Sequence, residues 1–102
     1  MTRTEALEVV LAGEHAAVYA FGVVGAILRG TPDEAAARAA FALHVARRDE
    51  VTAELVEAGA TPAGSAPAYD LGGEVRTPKA ARALAARVDL GLCAPYADLV
   101  GA

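Results

Sequence analysis

Tryptophan is absent, cysteine occurs once, and three tyrosines and two phenylalanines make up the whole aromatic content of 102 residues. A single cysteine, Cys93, cannot form an internal disulfide, so the fold must rest on packing. Cys93 itself reads as a small core hydrophobe of a cytosolic chain. No segment alternates β-branched and polar residues, which argues against strands. Nine lysines and arginines against thirteen aspartates and glutamates give a net charge of −4, with no basic cluster. Nucleic-acid binding is therefore not expected, since phosphate contacts need grouped cations. The longest uncharged run, Ala16 to Leu28, falls short of the ~20 apolar residues that span a bilayer. Glu5, Glu8 and Glu14 interrupt any leader-like plan, so neither a targeting segment nor a membrane partner is expected. Without a strand there is no phosphate-cradling loop, and Ser65 lacks a G-x-S-x-G setting. No nucleophile and base stand at a recognisable spacing, so no catalytic residues are assigned.

What the chain does have is alanine, about a quarter of all residues. Alanine loses no side-chain entropy on entering a helix. An all-α single domain over 1–102 follows, with three long helices at about 3–29, 32–58 and 78–100. Thr2 and Glu5 match a capping box, in which hydroxyl and carboxylate satisfy each other's free amides. Gly30 supplies a left-handed stop. In "TPDE", Thr31 is the expected N-cap, Pro32 the first helical residue and Glu34 the partner that closes a second box. Gly59 ends the second helix. "TPKA" opens the third on Thr77 and Pro78, and Pro95 lies inside it without an amide to donate.

Residues 60–76 are rich in proline, glycine and serine, with no helical period. Helices of this length are ~40 Å long. Seventeen extended residues reach ~55 Å. The segment can thus cross the full length of a bundle and start the third helix beside the start of the second. Tyr69, Leu71 and Val75 are the side chains expected to pin this crossover.

Leu7, Leu11, Glu14, Val18, Phe21, Gly25 and Leu28 recur at steps of four and three and form a bundle seam. Glu14 sits inside it, with His15 and Tyr19 on the adjoining stripe. On the second helix Phe41, His44, Arg48, Val51 and Leu55 form one seam. On the third, Asp89 shares a face with Ala85, Leu92, Tyr96 and Leu99. If the first two helices fold back about Gly30–Thr31, Glu14 lies level with Arg47 and Arg48. Asp89 then lies level with His44. An unpaired buried charge costs several kcal/mol, so these groups should converge. The expected buried polar network comprises Glu14, His15, Tyr19, His44, Arg47, Arg48, Asp49 and Asp89. In it Glu14 accepts from Arg47 or Arg48, and His44 with Tyr19 satisfies Asp89. A small-ligand pocket at the Glu14–Tyr19 level is a further possibility.

The segments "EHAAVYAFGVVGA", "HVARRDEV", "AYDL" and "LAARVDLG", with "YADLV" after them, resemble a ferritin-like domain of unknown function found in small proteins of GC-rich bacteria. The resemblance covers nearly the whole chain. It implies a helical bundle with a long crossover between helices two and three. It also implies a fourth helix after "YADLV", where this chain stops at Ala102, and a glutamate at the place of Asp89. Three helices leave one side of the core open. The resemblance therefore suggests a homo-oligomer, in the simplest case a dimer, or a protein partner covering that side.

Ferritin-like bundles can hold iron or manganese with one Glu from each of two helices and Glu-x-x-His from the other two. Glu14, His44 and Asp89 are the residues that fit such a site here. Position 41, which would need glutamate three residues before His44, holds Phe41. Arg48 nearby adds positive charge that repels a cation. The favoured reading is a non-catalytic binding or oligomerising bundle without a cofactor. The alternative is a degenerate carboxylate-type metal protein of redox function.

Overall fold

A computed structural model describes all 102 residues and contains three α-helices. They are α1 (Arg3–Ile27), α2 (Glu34–Glu57) and α3 (Pro78–Gly101), with irregular backbone between α2 and α3. The Thr2–Glu5 capping box forms: Thr2 Oγ1 accepts from the Glu5 amide, and a Glu5 carboxylate oxygen accepts from the Thr2 amide. Thr77 caps α3 through the Ala80 amide, with Pro78 in the first helical turn. Gly30 (φ +78°) and Gly59 (φ +83°) take the left-handed conformation at the two helix ends, where a Cβ would be strained.

The start of α2 differs from the expected one. Helix begins at Glu34, not Pro32. The Thr31 hydroxyl donates to the Leu28 carbonyl, which ties it to the end of α1. Glu34 reaches back to the Gly30 amide at 2.7 Å. The local hydrogen-bonding groups are thus spent on the turn, and the second capping box does not form.

α1 is the central element. It packs on both α2 and α3, whereas no Cα of α2 comes within 8 Å of a Cα of α3. α1 is also long and apolar enough to cross a membrane by length and composition. In this fold α1 has nine buried residues between Ala6 and Val24, Glu14 among them, and the rest of its apolar stretch is less covered. An exposed ion pair, Arg82 to Asp33 at 3.3 Å, joins the first turn of α3 to the start of α2. The two outer helices therefore run parallel, as a long crossover requires. The crossover lies against the bundle through Leu71 and Val75. Tyr69 packs its ring on Tyr19 with centroids 5.6 Å apart. Arg87 donates to the Leu71 carbonyl at 3.0 Å.

The apolar core is in two parts. One holds Phe21, Val24, Leu28, Leu84 and Leu92; the other holds Leu7, Val10, Leu11, Val51 and Leu55. Tyr96 borders both. Glu14 and His44, the two buried polar residues, lie between these clusters in sequence along α1 and α2. Cys93 is exposed rather than in the core. Its thiol bonds the Asp89 carbonyl one turn back, on a part of α3 that α1 does not cover.

Candidate functional site

Glu14 is fully buried, 0% exposed. Such a carboxylate survives only if the hydration it loses is replaced by donors. Two are present. His44 Nδ1–H donates to Oε1 at 2.5 Å, and the Tyr96 hydroxyl donates to Oε2 at 2.5 Å. One side chain from each helix thus meets at a single carboxyl group.

His44 is itself buried at 2% exposure, and Phe21 stacks on its ring with centroids 4.9 Å apart. The other ring nitrogen, Nε2, lies 3.4 Å from Asp89 Oδ1. Asp89 is largely exposed. A proton at Nε2 makes that contact attractive; a lone pair there makes it repulsive. The arrangement is a relay of ionisable groups that runs from the buried Glu14, through His44, to a solvent-facing carboxylate.

Tyr96 is a weaker acid here than a free phenol. Burial pushes its phenol well above the usual value, and the hydrogen bond and charge of Glu14 push it further. Arg47, whose guanidinium carbon stands 5.6 Å from the centre of the Tyr96 ring, opposes the shift. Tyr96 is therefore a fixed donor. Gly13 makes this approach possible: a Cβ there would stand 2.6 Å from Leu92 Cδ2, so the bare backbone lets α3 close on α1 beside Glu14.

Several expected members lie elsewhere. Neither Arg47 nor Arg48 bonds Glu14. The chain folds back nearer Leu28 than Gly30–Thr31, which pairs Glu14 with residue 44 and not with residue 47. A slip of three residues puts the guanidinium groups on another part of the α2 surface. Arg47 lies over Tyr96, and Arg48 pairs with its neighbour Asp49 at 3.0 Å in exposed surroundings. Tyr19 packs on Tyr69 of the crossover and does not reach Asp89. His15 donates from Nε2 to the Ala63 carbonyl at 2.9 Å, on the crossover side of α1. Its Nδ1 is buried without a partner. Tyr96 was missing from the expected network, although its place two turns from Asp89 on the same α3 face was a usable signal.

For metal binding the donor set is a poor fit. Both nitrogens of His44 are directed at carboxylates, and Glu14 already accepts at both oxygens. No group of three or more His, Cys, Asp or Glu side chains is placed to hold an ion.

Comparison with known proteins gives a structural relative and a family. A crystal structure described as that of a conserved hypothetical protein, rv2844, from Mycobacterium tuberculosis superposes with a TM-score of 0.89 at 30% identity. The match covers 97% of this chain and 69% of that one. No curated protein matches. The model of the family described as Domain of unknown function (DUF4439) matches residues 6–102, and the chain belongs to that family.

Proposed function

We propose that this protein is a ferritin-like helical bundle with no catalytic role, which works by associating with a second copy of itself through the trough between α2 and α3. The observation that carries the reading is the separation of the two helix backbones, each packed on α1, with no Cα of one within 8 Å of the other and side chains such as His44 and Asp89 bridging the gap. Helical spacing puts Ala36, Ala40, Leu43 and Arg47 along one wall of the trough. Arg82, Ala86, Asp89, Cys93 and Val100 line the other. Leu43 is 48% exposed and Val100 87%. Small residues alternating with apolar ones at steps of three and four suit an added helix. Covering such a face with the same surface of a partner yields a closed two-fold dimer.

Sedimentation equilibrium at micromolar concentration tests the reading. A dimer is expected, with Leu43→Glu shifting the population to monomer while circular dichroism stays helical. A folded wild-type chain that remains strictly monomeric overturns it. The alternative, iron or manganese held by Glu14, His44 and Asp89, is supported by their convergence on one level of the bundle and opposed by their mutual hydrogen bonding. Metal analysis of protein purified without chelator separates the two, since stoichiometric metal favours the alternative.

A further inference from the structure

On the opposite side of α2, a cleft of about 310 Å³ lies between the end of α1 and the start of α2. Phe21 and Ala37 contribute its apolar lining, Phe41 stands beside it, and Arg29 and Arg38 complete the rim. The cleft exists because α1 carries glycine at positions 22 and 25. Glycine inside a helix is destabilising relative to alanine, so two of them need a reason. The usual reasons do not apply. Neither residue has a positive φ. A Cβ at Gly25 would meet nothing within 4 Å, and one at Gly22 would meet only the Phe41 ring at 3.9 Å, an ordinary contact distance. Helix packing therefore does not require them; the Phe41 ring stands over Gly22, and the bare backbone at Gly25 leaves the cleft open.

The second observation concerns charge. Arg29 makes no hydrogen bond or ion pair with any side chain. Arg38 has only a long contact, 4.0 Å to Glu34 Oε2. The other oxygen of Glu34 is committed to the Gly30 amide. The cleft thus carries two guanidinium groups against one carboxylate, in a chain of net charge −4. Phe41, 38% exposed, offers its ring to the same space.

We infer that this cleft binds a small aromatic carboxylate. The ligand's ring lies over Gly25 against the half-exposed ring of Phe41, and its carboxylate faces Arg29 and Arg38. Planar guanidinium groups recognise carboxylates by paired hydrogen bonds, and aromatic walls favour a flat apolar body. The volume is at the small end of ligand sites, which limits the ligand to one or two rings. The site is separate from the trough between α2 and α3 and does not depend on its occupant.

The test is a titration of the folded chain with 2-naphthoate, followed by amide nuclear magnetic resonance, with 2-naphthamide as the uncharged control. Saturable shifts of the Gly22 and Gly25 amides are expected with the acid. The amide should bind about tenfold more weakly, as should the acid to Arg29→Gln, because each change removes a charge-assisted hydrogen bond. Gly25→Leu should fill the cleft, abolish the shifts and raise the melting temperature, a pairing that loss of fold cannot produce. No saturable response at millimolar acid, equal affinity for the amide, or unchanged binding to Gly25→Leu overturns the proposal. So does a shift of these two amides on dilution alone, which would identify the occupant as another copy of the chain.

Discussion

His44 and Tyr96 share one carboxylate: each donates a hydrogen bond of 2.5 Å to a different oxygen of Glu14. α2 and α3, which make no backbone approach, are thereby joined through the side chain of a third helix. The energetics of the bundle turn on this triple contact.

Glu14→Ala leaves the His44 ring and the Tyr96 hydroxyl without an acceptor in the interior. The expected loss is about 2–4 kcal/mol, measured by urea unfolding. Glu14→Gln keeps one acceptor and should lose less. Arg48→Ala, which removes only a local exposed pair, should change stability by under ~0.5 kcal/mol. Equal effects of Glu14→Ala and Arg48→Ala would contradict the assignment of Glu14 as the hub.

Tyr96 should resist alkali. Its folded pKa lies above the ordinary value of 10.0, chiefly through burial and then through Glu14. A raised value means that the protonated form favours the folded state. The contribution is therefore complete below pH 10.0 and is lost as pH rises beyond it. In ultraviolet absorbance the Tyr96 phenolate should be delayed until the protein unfolds. Tyr96→Phe should remove the delayed step and destabilise by about 1–2 kcal/mol at neutral pH.

The first turn of α1 has the opposite pH dependence. Glu5 is held below its ordinary value of 4.5, first by the Thr2 amide and then by the Thr2 hydroxyl. Its contribution is present above that value and is lost as pH falls through the depressed one. Thr2→Ala removes the hydroxyl but keeps the amide, so it should move the Glu5 titration, followed by carboxyl carbon resonances, only part of the way back to the usual position. It should also increase amide exchange at residues 3–6. An unchanged titration in Thr2→Ala would contradict the capping assignment.

Gly13→Val places a branched side chain where Leu92 now lies, since even a Cβ would stand 2.6 Å from its Cδ2. Overpacking of this kind costs about 1–3 kcal/mol. Leu92→Ala in the same chain should relieve part of the cost, so the double variant should be more stable than the sum of the two singles predicts. Strict additivity would mean that the two positions are not in contact.

Much of the fold was legible because its signals are local. Thr2 with Glu5, Thr77 with Pro78, and the glycines at 30 and 59 mark helix ends through the chemistry of a few neighbouring residues. The crossover followed from length alone. The site was harder to read, because placing a side chain opposite another needs the point of fold-back to within a residue or two. Estimating that point at Gly30–Thr31 put the arginines at 47 and 48 beside Glu14, whereas the Thr31 hydroxyl bond to Leu28 moves the turn and brings in His44. Tyr96 was overlooked because a tyrosine on an apolar face reads as packing, and only the burial of Glu14 shows that its hydroxyl has work to do. Cys93 was misplaced for the converse reason: a small apolar residue at helical spacing carries no mark of which side of α3 it occupies.

The parallel course of α2 and α3 bears on the order in which the molecule assembles. The first two helices are neighbours in the chain and can zip together across a short turn. The last must wait until residues 58–77 have closed as a loop, an entropic toll that rises with separation along the backbone. Until then the acid at position 14 has only its imidazole partner, and half of the oily stripe on the central rod faces water. The final rod is therefore expected to dock last, bringing the phenol that completes the hydrogen bonding of that acid.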